Sequence, residues 1–263
     1  MSEFSGQAVV VTGGESGIGR AIVEAFAAEG AWVVFGGLLE AKAEETLAAV
    51  ARSGGRARFI KTDVSRWEDI DRLVAATLEA HGDLQVMVNN AGVFDGFASC
   101  VETTEELWDR VIDINLKGQF LGCKRALQYM VQAGYGRIIN IASVGGLRGG
   151  ADGTSYTASK FGVIGLTRQI ACTYAAQGIT ANALCPGVIQ TEIRANSATV
   201  LGSAAPNMQQ GVGADPDGYK RLVPAQRRGQ ADEVAALALY VASRKAGYVN
   251  GQALAIDGGW TAT

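Results

Sequence analysis

Short apolar runs alternate along the chain with stretches in which apolar residues recur at helical spacing. The runs contain few polar residues, which is typical of strands in a parallel sheet that is covered on both faces. Parallel neighbours need a long crossover connection, and the helical stretches can supply it. The alternation therefore predicts an α/β fold with helices on both faces of a doubly wound parallel sheet of about seven strands. The predicted strands are residues 8–11, 32–35, 59–60, 84–88, 137–141, 179–184 and 253–256.

One long segment, residues 190–228, interrupts this alternation. It is rich in glycine and proline and shows little apolar periodicity. A connection of this length is uncommon in a compact domain and is often a lid or a binding loop. No shift in composition marks a second domain, so we expect residues 1–263 to form one domain with a substrate-binding loop or lid at 190–228. After a first helix that ends near residue 30, further helices are predicted at residues 40–52, 67–80, 104–131, 155–177 and 231–243.

The composition argues against several classes of function. A formal charge of −3 gives no reason to expect nucleic acid or a membrane surface as a partner. No uninterrupted apolar stretch approaches the roughly 18 residues of a membrane span. The four cysteines show no C-x-x-C spacing and there is a single histidine, so we expect no metal site of His and Cys ligands. The first residues lack the basic segment and apolar run of a secretory signal, and a cytoplasmic location is expected.

A glycine-rich turn follows the first predicted strand. Gly13, Gly17 and Gly19 are spaced G-x-x-x-G-x-G, just before a predicted helix. Glycines allow a tight bend and a close approach of the backbone to a pyrophosphate, which the N-terminus of the helix can bind. A purely structural turn is the alternative, but the position between the first strand and the first helix favours nucleotide binding.

Tyr156 and Lys160 lie four residues apart in a predicted helix, so their side chains project from one face. An ammonium group beside a phenol stabilises the phenolate and lowers its pKa from about 10. A tyrosine tuned in this way is a candidate general acid/base. The pair alone is also compatible with an amphipathic helix that carries one aromatic contact and one solvated lysine.

A series of further motifs stands at the ends of the predicted strands and in the helices between them. The series is Thr12-Gly13-x-x-x-Gly17-x-Gly19, Asn89-Asn90-Ala91-Gly92, Asn115-x-x-Gly118, Ser143, Tyr156-x-x-x-Lys160 and Pro186-Gly187, with Gly251-Gln252 and Ile256-Asp257-Gly258-Gly259 near the end. In this order it resembles the motif set of the short-chain dehydrogenase/reductase family, in its single-domain branch. The resemblance covers essentially the whole chain and implies a Rossmann fold and a nicotinamide cofactor.

The resemblance implies a role for each of four residues. Tyr156 would exchange the proton with the substrate oxygen, and Lys160 would lower its pKa and bind the nicotinamide ribose. Ser143 would hold the substrate oxygen, and Asn115 would take part in a proton relay through water to the lysine. A helix cap for Ser143 and a satisfied polar group for Asn115 are the structural alternatives.

The same resemblance implies a set of cofactor-binding residues in the strand-end motifs. These are Gly13, Glu15, Ser16, Gly17, Ile18, Gly19, Gly37, Leu38, Asp63, Val64, Asn89, Ala91, Gly92, Tyr156, Lys160, Pro186, Gly187, Val188 and Thr191.

The sequence departs from the family pattern where the second strand ends. NAD-preferring relatives carry an acidic residue there, which binds the ribose 2′-hydroxyl. Residues 35–40 place no carboxylate at that point, and Leu38 and Ser16 are not the basic residues that would bind a 2′-phosphate. Glu15 would repel a 2′-phosphate if it faces the ribose, so NAD is favoured over NADP.

The substrate pocket is expected from residues that flank the motifs and are mostly apolar. They are Ser143, Val144, Leu147, Tyr156, Phe94, Phe97 and Val188, with Arg148, Glu192 and Arg194 as polar candidates. Packing in the core or at an interface is an equal alternative for the phenylalanines.

The sequence thus predicts an NAD(P)-dependent oxidoreductase that interconverts a small-molecule secondary alcohol and a ketone by direct hydride transfer. The alternatives are a catalytically silent dinucleotide-binding regulator or scaffold, and a redox-neutral dehalogenase or epimerase on the same fold. The resemblance also implies a homo-oligomer, a tetramer as in many relatives, that pairs through residues 104–131 and 155–177.

Overall fold

The computed structural model describes residues 2–212, 215 and 217–262. Within them, seven parallel strands form one sheet in the order β3-β2-β1-β4-β5-β6-β7. The strands are β1 (Ala8–Thr12), β2 (Trp32–Gly37), β3 (Arg56–Lys61), β4 (Val86–Asn89), β5 (Gly136–Ile141), β6 (Ile179–Pro186) and β7 (Ala253–Ile256). The predicted doubly wound fold is confirmed, and the third strand is longer than predicted.

Helices cover both faces of this sheet. They are α1 (Gly17–Ala28), α2 (Glu40–Arg52), α3 (Trp67–His81), α4 (Glu105–Ile112), α5 (Gly118–Ala133), α6 (Thr154–Tyr174), α7 (Ile193–Leu201) and α8 (Ala231–Ala242). A π-helical segment, Asp113–Lys117, joins α4 to α5, so the single predicted helix at 104–131 contains a local widening. None of the helices in the described part of the chain is long and apolar enough to cross a bilayer.

The apolar strand runs are explained by two separate cores. Successive side chains of a strand point to opposite faces, so Val9 packs in the core beneath α1, α2 and α8 while Val10 packs beneath α3, α5 and α6. Both residues are fully buried. Strand β3 is an edge strand whose basic residues alternate toward solvent, so only Phe59 and Ile60 form an apolar run in the sequence.

The strand order reverses direction between β1 and β4. The chain first builds outward through β2 and β3 and then returns to the other side of β1. At such a switch point, the crossovers leave a crevice outside the carboxyl ends of the strands, where ligands bind in open α/β sheets.

The segment at 190–228 contains a helix, which the sequence did not predict. Helix α7 is held over the strand ends by three polar contacts. The Phe94 N–H donates to Ser197 Oγ at 2.8 Å, Asn196 Nδ2 donates to Ser16 Oγ at 3.0 Å, and Lys42 Nζ donates to Asn196 Oδ1 at 2.9 Å. Residues 213, 214 and 216 of this segment lie outside the described residues.

Candidate active site

A cleft runs along the carboxyl ends of the strands beneath α7. Its floor is the glycine turn after β1, and its walls come from the segments after β2 to β6. Most of the predicted cofactor residues line it together: Gly13, Glu15, Ser16, Gly17, Ile18, Gly37, Leu38, Asp63, Val64, Ala91, Gly92, Tyr156, Lys160, Pro186, Gly187, Val188 and Thr191.

The glycine turn is fastened to the neighbouring strands. The Gly13 N–H donates to the Gly36 carbonyl at 2.7 Å, and Asn90 Nδ2 donates to the Gly13 carbonyl at 2.9 Å. Gly13 and Gly17 have φ values of 65° and 52°, which favour glycine. Gly19 does not line the cleft. Its Cα faces the Gly13 carbonyl so closely that a Cβ would overlap that oxygen, and the requirement for glycine is therefore one of packing.

Two of the other predicted residues are also placed away from the cofactor wall. Asn89 is buried between the sheet and α5, where its Nδ2 donates to Asn140 Oδ1 at 2.9 Å. The neighbouring Asn90 lines the cleft instead, because successive residues at the end of a strand face opposite sides. Asn115 is fully buried behind the wall.

Residues 35–40 place no carboxylate at the end of β2, as expected, but a carboxylate from the first turn stands there. It belongs to Glu15, which lines the cleft and is only 7% exposed. Glu15 Oε1 accepts from the Leu38 N–H at 3.1 Å, and a Cβ on Gly37 would overlap the carboxylate. Glu15 Oε2 is buried and has no hydrogen-bond partner among the described residues. Burial raises the pKa of this carboxyl.

Tyr156 and Lys160 face the cleft from the first two turns of α6, and both are buried. The Lys160 ammonium donates to the Ile141 carbonyl at 2.9 Å, at the end of β5, and lies 5.3 Å from the centre of the Tyr156 ring. Burial lowers the pKa of Lys160 to about 8. The i, i+4 spacing thus brings both side chains to one place, as predicted.

The pKa of Tyr156 differs from the expectation. It is raised rather than tuned toward neutrality, chiefly by burial and then by the charge of Asp152, with a further contribution from Asp95. The nearby Ser143 hydroxyl opposes this shift. The lysine alone does not set this pKa, because burial desolvates the phenol and two nearby acids disfavour the phenolate.

Ser143 follows β5 and points its hydroxyl toward the same region. Its Oγ accepts from the Gly145 N–H at 3.0 Å, and its hydroxyl donates to Asp152 Oδ2 at 3.2 Å. Ser143 therefore caps the short 3₁₀ turn at Val144–Gly146 and lies close enough to Tyr156 to influence its pKa. Ser143 can therefore cap this turn and still lie in the candidate site.

Asn115 lies in the π-helical segment between α4 and α5. Asn115 Oδ1 accepts from the Val93 N–H at 2.7 Å, and Nδ2 donates to the Val93 carbonyl at 2.9 Å. A Cβ on Gly92 would lie 3.2 Å from Asn115 Oδ1 and 3.6 Å from Lys160 Nζ. Asn115 thus supports the loop after β4 from behind, beside the lysine. Such widenings of a helix are frequent at functional sites.

The substrate end of the cleft is mostly apolar. Six of the seven predicted residues line it: Ser143, Val144, Tyr156, Phe94, Phe97 and Val188. The seventh, Leu147, packs instead against the core near Val163 and Ile164, because the 3₁₀ turn directs it away from the cleft. The Arg194 guanidinium lies 4.9 Å from the centre of the Phe94 ring and also lines the cleft.

Two acids in this region were missed from the sequence. Asp95 accepts from the Ser155 hydroxyl at 3.0 Å and from the Tyr156 N–H at 2.9 Å, so it fixes the start of α6. Asp152 lines the cleft beside Ser143. The only available signal was their proximity in sequence to the motifs at Gly92 and Tyr156. No cluster of three or more potential metal ligands occurs among the described residues.

Comparisons with known proteins agree with this architecture. The family model described as Enoyl-(Acyl carrier protein) reductase matches residues 13–261. The 3beta-hydroxysteroid dehydrogenase 2 of Eggerthella lenta is 38% identical over 260 residues, which are 98% of this chain and 96% of that protein. The cis-4-hydroxycyclohexanecarboxylate dehydrogenase of Sinomonas cyclohexanicum is 37% identical over 259 residues, or 98% of each protein.

The solved structures show the same relationship. The crystal structure of levodione reductase matches with a TM-score of 0.89 and 34% sequence identity, over 99% of both chains. Sequence and structure therefore lead to one family over nearly the full length. This chain belongs to the short-chain dehydrogenase/reductase family of NAD(P)-dependent oxidoreductases.

Proposed function

We propose that this enzyme interconverts a secondary alcohol and a ketone. The observation that carries the proposal is the convergence of Ser143, Tyr156 and Lys160 at the end of β5 and the start of α6, inside the cleft that begins at the glycine turn. Hydroxyl groups beside a buried ammonium can hold a substrate oxygen and stabilise negative charge that develops on it. The names of the hydroxysteroid and hydroxycyclohexanecarboxylate dehydrogenases support the same class of reaction.

The chain's own residues fit a dinucleotide. Gly17 carries no side chain of its own at the start of α1, where the Thr191 methyl group lies 3.2 Å from the position that a Cβ would occupy, and Gly92 keeps the wall clear beside Lys160. Thr191 and Pro186-Gly187 close the cleft from the β6 side. The cofactor would supply the hydride acceptor or donor, and the protein would supply binding, orientation and proton transfer.

Each site residue has a distinct part in this proposal. Tyr156 exchanges the proton with the substrate oxygen, and Ser143 positions that oxygen. Lys160 places a positive charge beside the phenol and a donor toward the nicotinamide ribose. Asn115 holds the loop after β4 so that Lys160 keeps its place, and it connects the lysine to a path for protons.

We propose NAD rather than NADP as the preferred cofactor. The buried Glu15 carboxylate has an unused acceptor atom at the end of β2. That atom can accept from a ribose 2′-hydroxyl, whereas a 2′-phosphate would face a carboxylate. Lys42, whose charge acts on Glu15, has its ammonium engaged by Glu192 and Asn196.

The substrate is proposed to be an apolar or cyclic molecule, because Phe94, Phe97 and Val188 form much of the far end of the cleft.

A homo-oligomer is proposed from large apolar side chains exposed on the helices that relatives use for pairing. Trp108, Phe120 and Phe161 are 39%, 44% and 47% exposed on α4, α5 and α6. A cytoplasmic location is proposed from the four free thiols.

The test is reduction of NAD and of NADP by the purified protein over a panel of secondary alcohols, with the reverse reaction on the matching ketones. Turnover of several alcohols, faster with NAD, supports the proposal. Tight binding of NAD(H) without turnover across the panel would favour the alternative of a silent dinucleotide-binding regulator.

A further inference from the structure

Asp152 is not one of the four proposed catalytic residues, yet its carboxyl group lies in the cleft beside Ser143. It precedes α6, lines the substrate end of the cleft, and accepts the hydroxyl proton of Ser143 at 3.2 Å. Gly145 makes room for it, since a Cβ on Gly145 would overlap Asp152 Oδ2. The fold therefore places a carboxyl group directly beside the point where the reacting oxygen would be held.

The carboxyl group of Asp152 accepts few hydrogen bonds for a group that is partly buried. Within residues 2–212, 215 and 217–262, Ser143 is its one hydrogen-bond donor, and no lysine or arginine forms an ion pair with it. An ionised carboxylate can accept about four hydrogen bonds. A partly buried carboxylate that accepts only one hydrogen bond has unsatisfied acceptor sites, and these cost free energy unless a donor reaches them.

The nearby cationic side chains in the described part of the chain do not donate hydrogen bonds to Asp152. Lys160 and Arg194 act on Asp152 through space, and both favour its ionised form, while Asp95 disfavours it. The Lys160 ammonium is directed at the Ile141 carbonyl, and the Arg194 guanidinium donates to the Met208 carbonyl. The donor that Asp152 lacks can therefore come from the contents of the cleft.

The hydrogen bonds of Ser143 indicate where that donor lies. A hydroxyl has one proton and two acceptor sites. In the structure the Ser143 hydroxyl donates to Asp152 and accepts from the Gly145 N–H, which leaves one acceptor site for the hydroxyl of an alcohol substrate. An oxygen held at Ser143 and Tyr156 is thus a close neighbour of the Asp152 carboxylate. A second hydroxyl on the adjacent carbon of the substrate would meet Asp152 at hydrogen-bonding range.

We propose that Asp152 selects substrates that carry a hydroxyl group next to the reacting carbon, so that the preferred reaction interconverts a vicinal diol and an α-hydroxyketone. The neighbouring hydroxyl donates to Asp152 and remains chemically unchanged. The bound cofactor would supply the hydride acceptor for the carbinol carbon, and Tyr156 would take the proton of the reacting hydroxyl. The apolar body of the substrate packs against Phe94 and Val188. This inference rests on the proposed function and narrows its substrate class.

The test compares matched pairs of alcohols with NAD: cyclohexanol with cyclohexane-1,2-diol, 1-phenylethanol with 1-phenylethane-1,2-diol, and butan-2-ol with butane-2,3-diol. The measured quantity is the ratio of kcat/KM for the diol to kcat/KM for its mono-alcohol. In the unaltered enzyme we expect this ratio to exceed one by roughly 10-fold or more in at least one pair, as a hydrogen bond to a charged group implies.

The variant Asp152→Asn keeps the size of the side chain and removes its charge. The diol-to-mono-alcohol ratio should fall by roughly 10-fold, mainly through KM for the diol. Asp109→Asn makes the same chemical change at an exposed position on α4 away from the cleft and should leave the ratio as it was. Thermal unfolding of each variant, and its affinity for NADH, would show whether the fold and the cofactor site are intact.

Several outcomes would overturn the inference without touching the proposed function. One is turnover of mono-alcohols and diols at equal kcat/KM in the unaltered enzyme. Another is an equal loss for both members of each pair in Asp152→Asn, which would assign Asp152 to the support of Ser143 alone. Absence of turnover with every mono-alcohol and diol, despite NADH binding, would reject the proposed function and the inference together.

Discussion

The carboxylate of Glu15 fills the space into which a side chain on Gly37 would project. A residue of the first turn thus provides the acidic group that is missing from the end of the second strand. Its Oε1 is held by the Leu38 N–H, and its Oε2 has no partner in the described part of the chain. Gly37 and Glu15 therefore form one unit: the glycine is needed because the carboxylate is there.

Removal of the charge at Glu15 should weaken the proposed preference for NAD over NADP. In Glu15→Gln we expect the ratio of kcat/KM for NAD to that for NADP to fall by roughly 10-fold or more, since a hydrogen bond to an ionised acceptor is lost and repulsion of a 2′-phosphate is relieved. Steady-state kinetics with both cofactors, together with fluorescence titration of NADH and NADPH, measures it. Glu44→Gln, an exposed change on α2, serves as the control. An unchanged ratio in Glu15→Gln would exclude this role.

The acidic group can be transferred from Glu15 to position 37, at the end of β2. Gly37→Asp alone should destabilise the protein by about 1–3 kcal/mol, because it overpacks the site and brings two acids together. Glu15→Ala in the same chain should relieve most of that cost and restore the preference for NAD. Urea unfolding of the two single variants and the double variant gives the coupling free energy. Additive effects of the two changes would show that the residues do not share the space.

The titration of Asp152 should make the free energy of unfolding depend on pH. Burial and the charge of Asp95 raise the pKa of Asp152 from 3.8 to about 6, while Lys160 and Arg194 oppose the shift; Tyr156 is the other titratable group beside it. Between these two values the folded protein holds a proton that the unfolded chain has released. The free energy of unfolding therefore falls as pH rises from about 4 to about 6.

Comparison with Asp152→Asn isolates this effect. Relative to that variant, the unaltered protein should lose about 1–3 kcal/mol of stability between about pH 4.5 and about pH 7.5, measured by urea unfolding. A constant difference in stability across this range would mean that Asp152 has the same pKa in the folded and unfolded states.

The exposed aromatic side chains should mark a subunit interface. Phe161 lies on α6 and is 47% exposed in the single chain. Phe161→Glu places a charge on this face and should lower the mass measured by light scattering from that of an oligomer to that of a smaller species. Glu substitution at Tyr248, which is fully exposed near β7, is the control. A monomeric mass for the unaltered protein would reject the interface outright.

The sequence predicted the sheet well because parallel strands buried on both faces must be continuously apolar, as Val9 and Val10 illustrate. It predicted the meeting of Tyr156 and Lys160 because helical spacing is local information. It missed α7, whose apolar residues Ala198 and Leu201 pack in the cluster that contains Val93 and Phe94 of the loop after β4 rather than on the sheet.

Other parts of the site depend on contacts between distant residues, which spacing does not reveal. The position of Glu15 beside Gly37 follows from the way the first turn folds over the end of β2. The raised pKa of Tyr156 depends on its burial and on Asp152. Whether Asn89 or Asn90 faces the cleft is decided by the strand register, and a shift of one residue reverses the answer.

The central claim is that Tyr156 transfers the proton in an NAD(P)-linked alcohol–ketone reaction. The most direct measurement is kcat/KM of Tyr156→Phe, with Tyr248→Phe as a matched control at an exposed position and NADH affinity as a check of the cofactor site. We predict that Tyr156→Phe binds NADH and loses activity by roughly 100-fold or more, the contribution typical of a general acid/base. Turnover by Tyr156→Phe within a few-fold of the unaltered enzyme would contradict the claim.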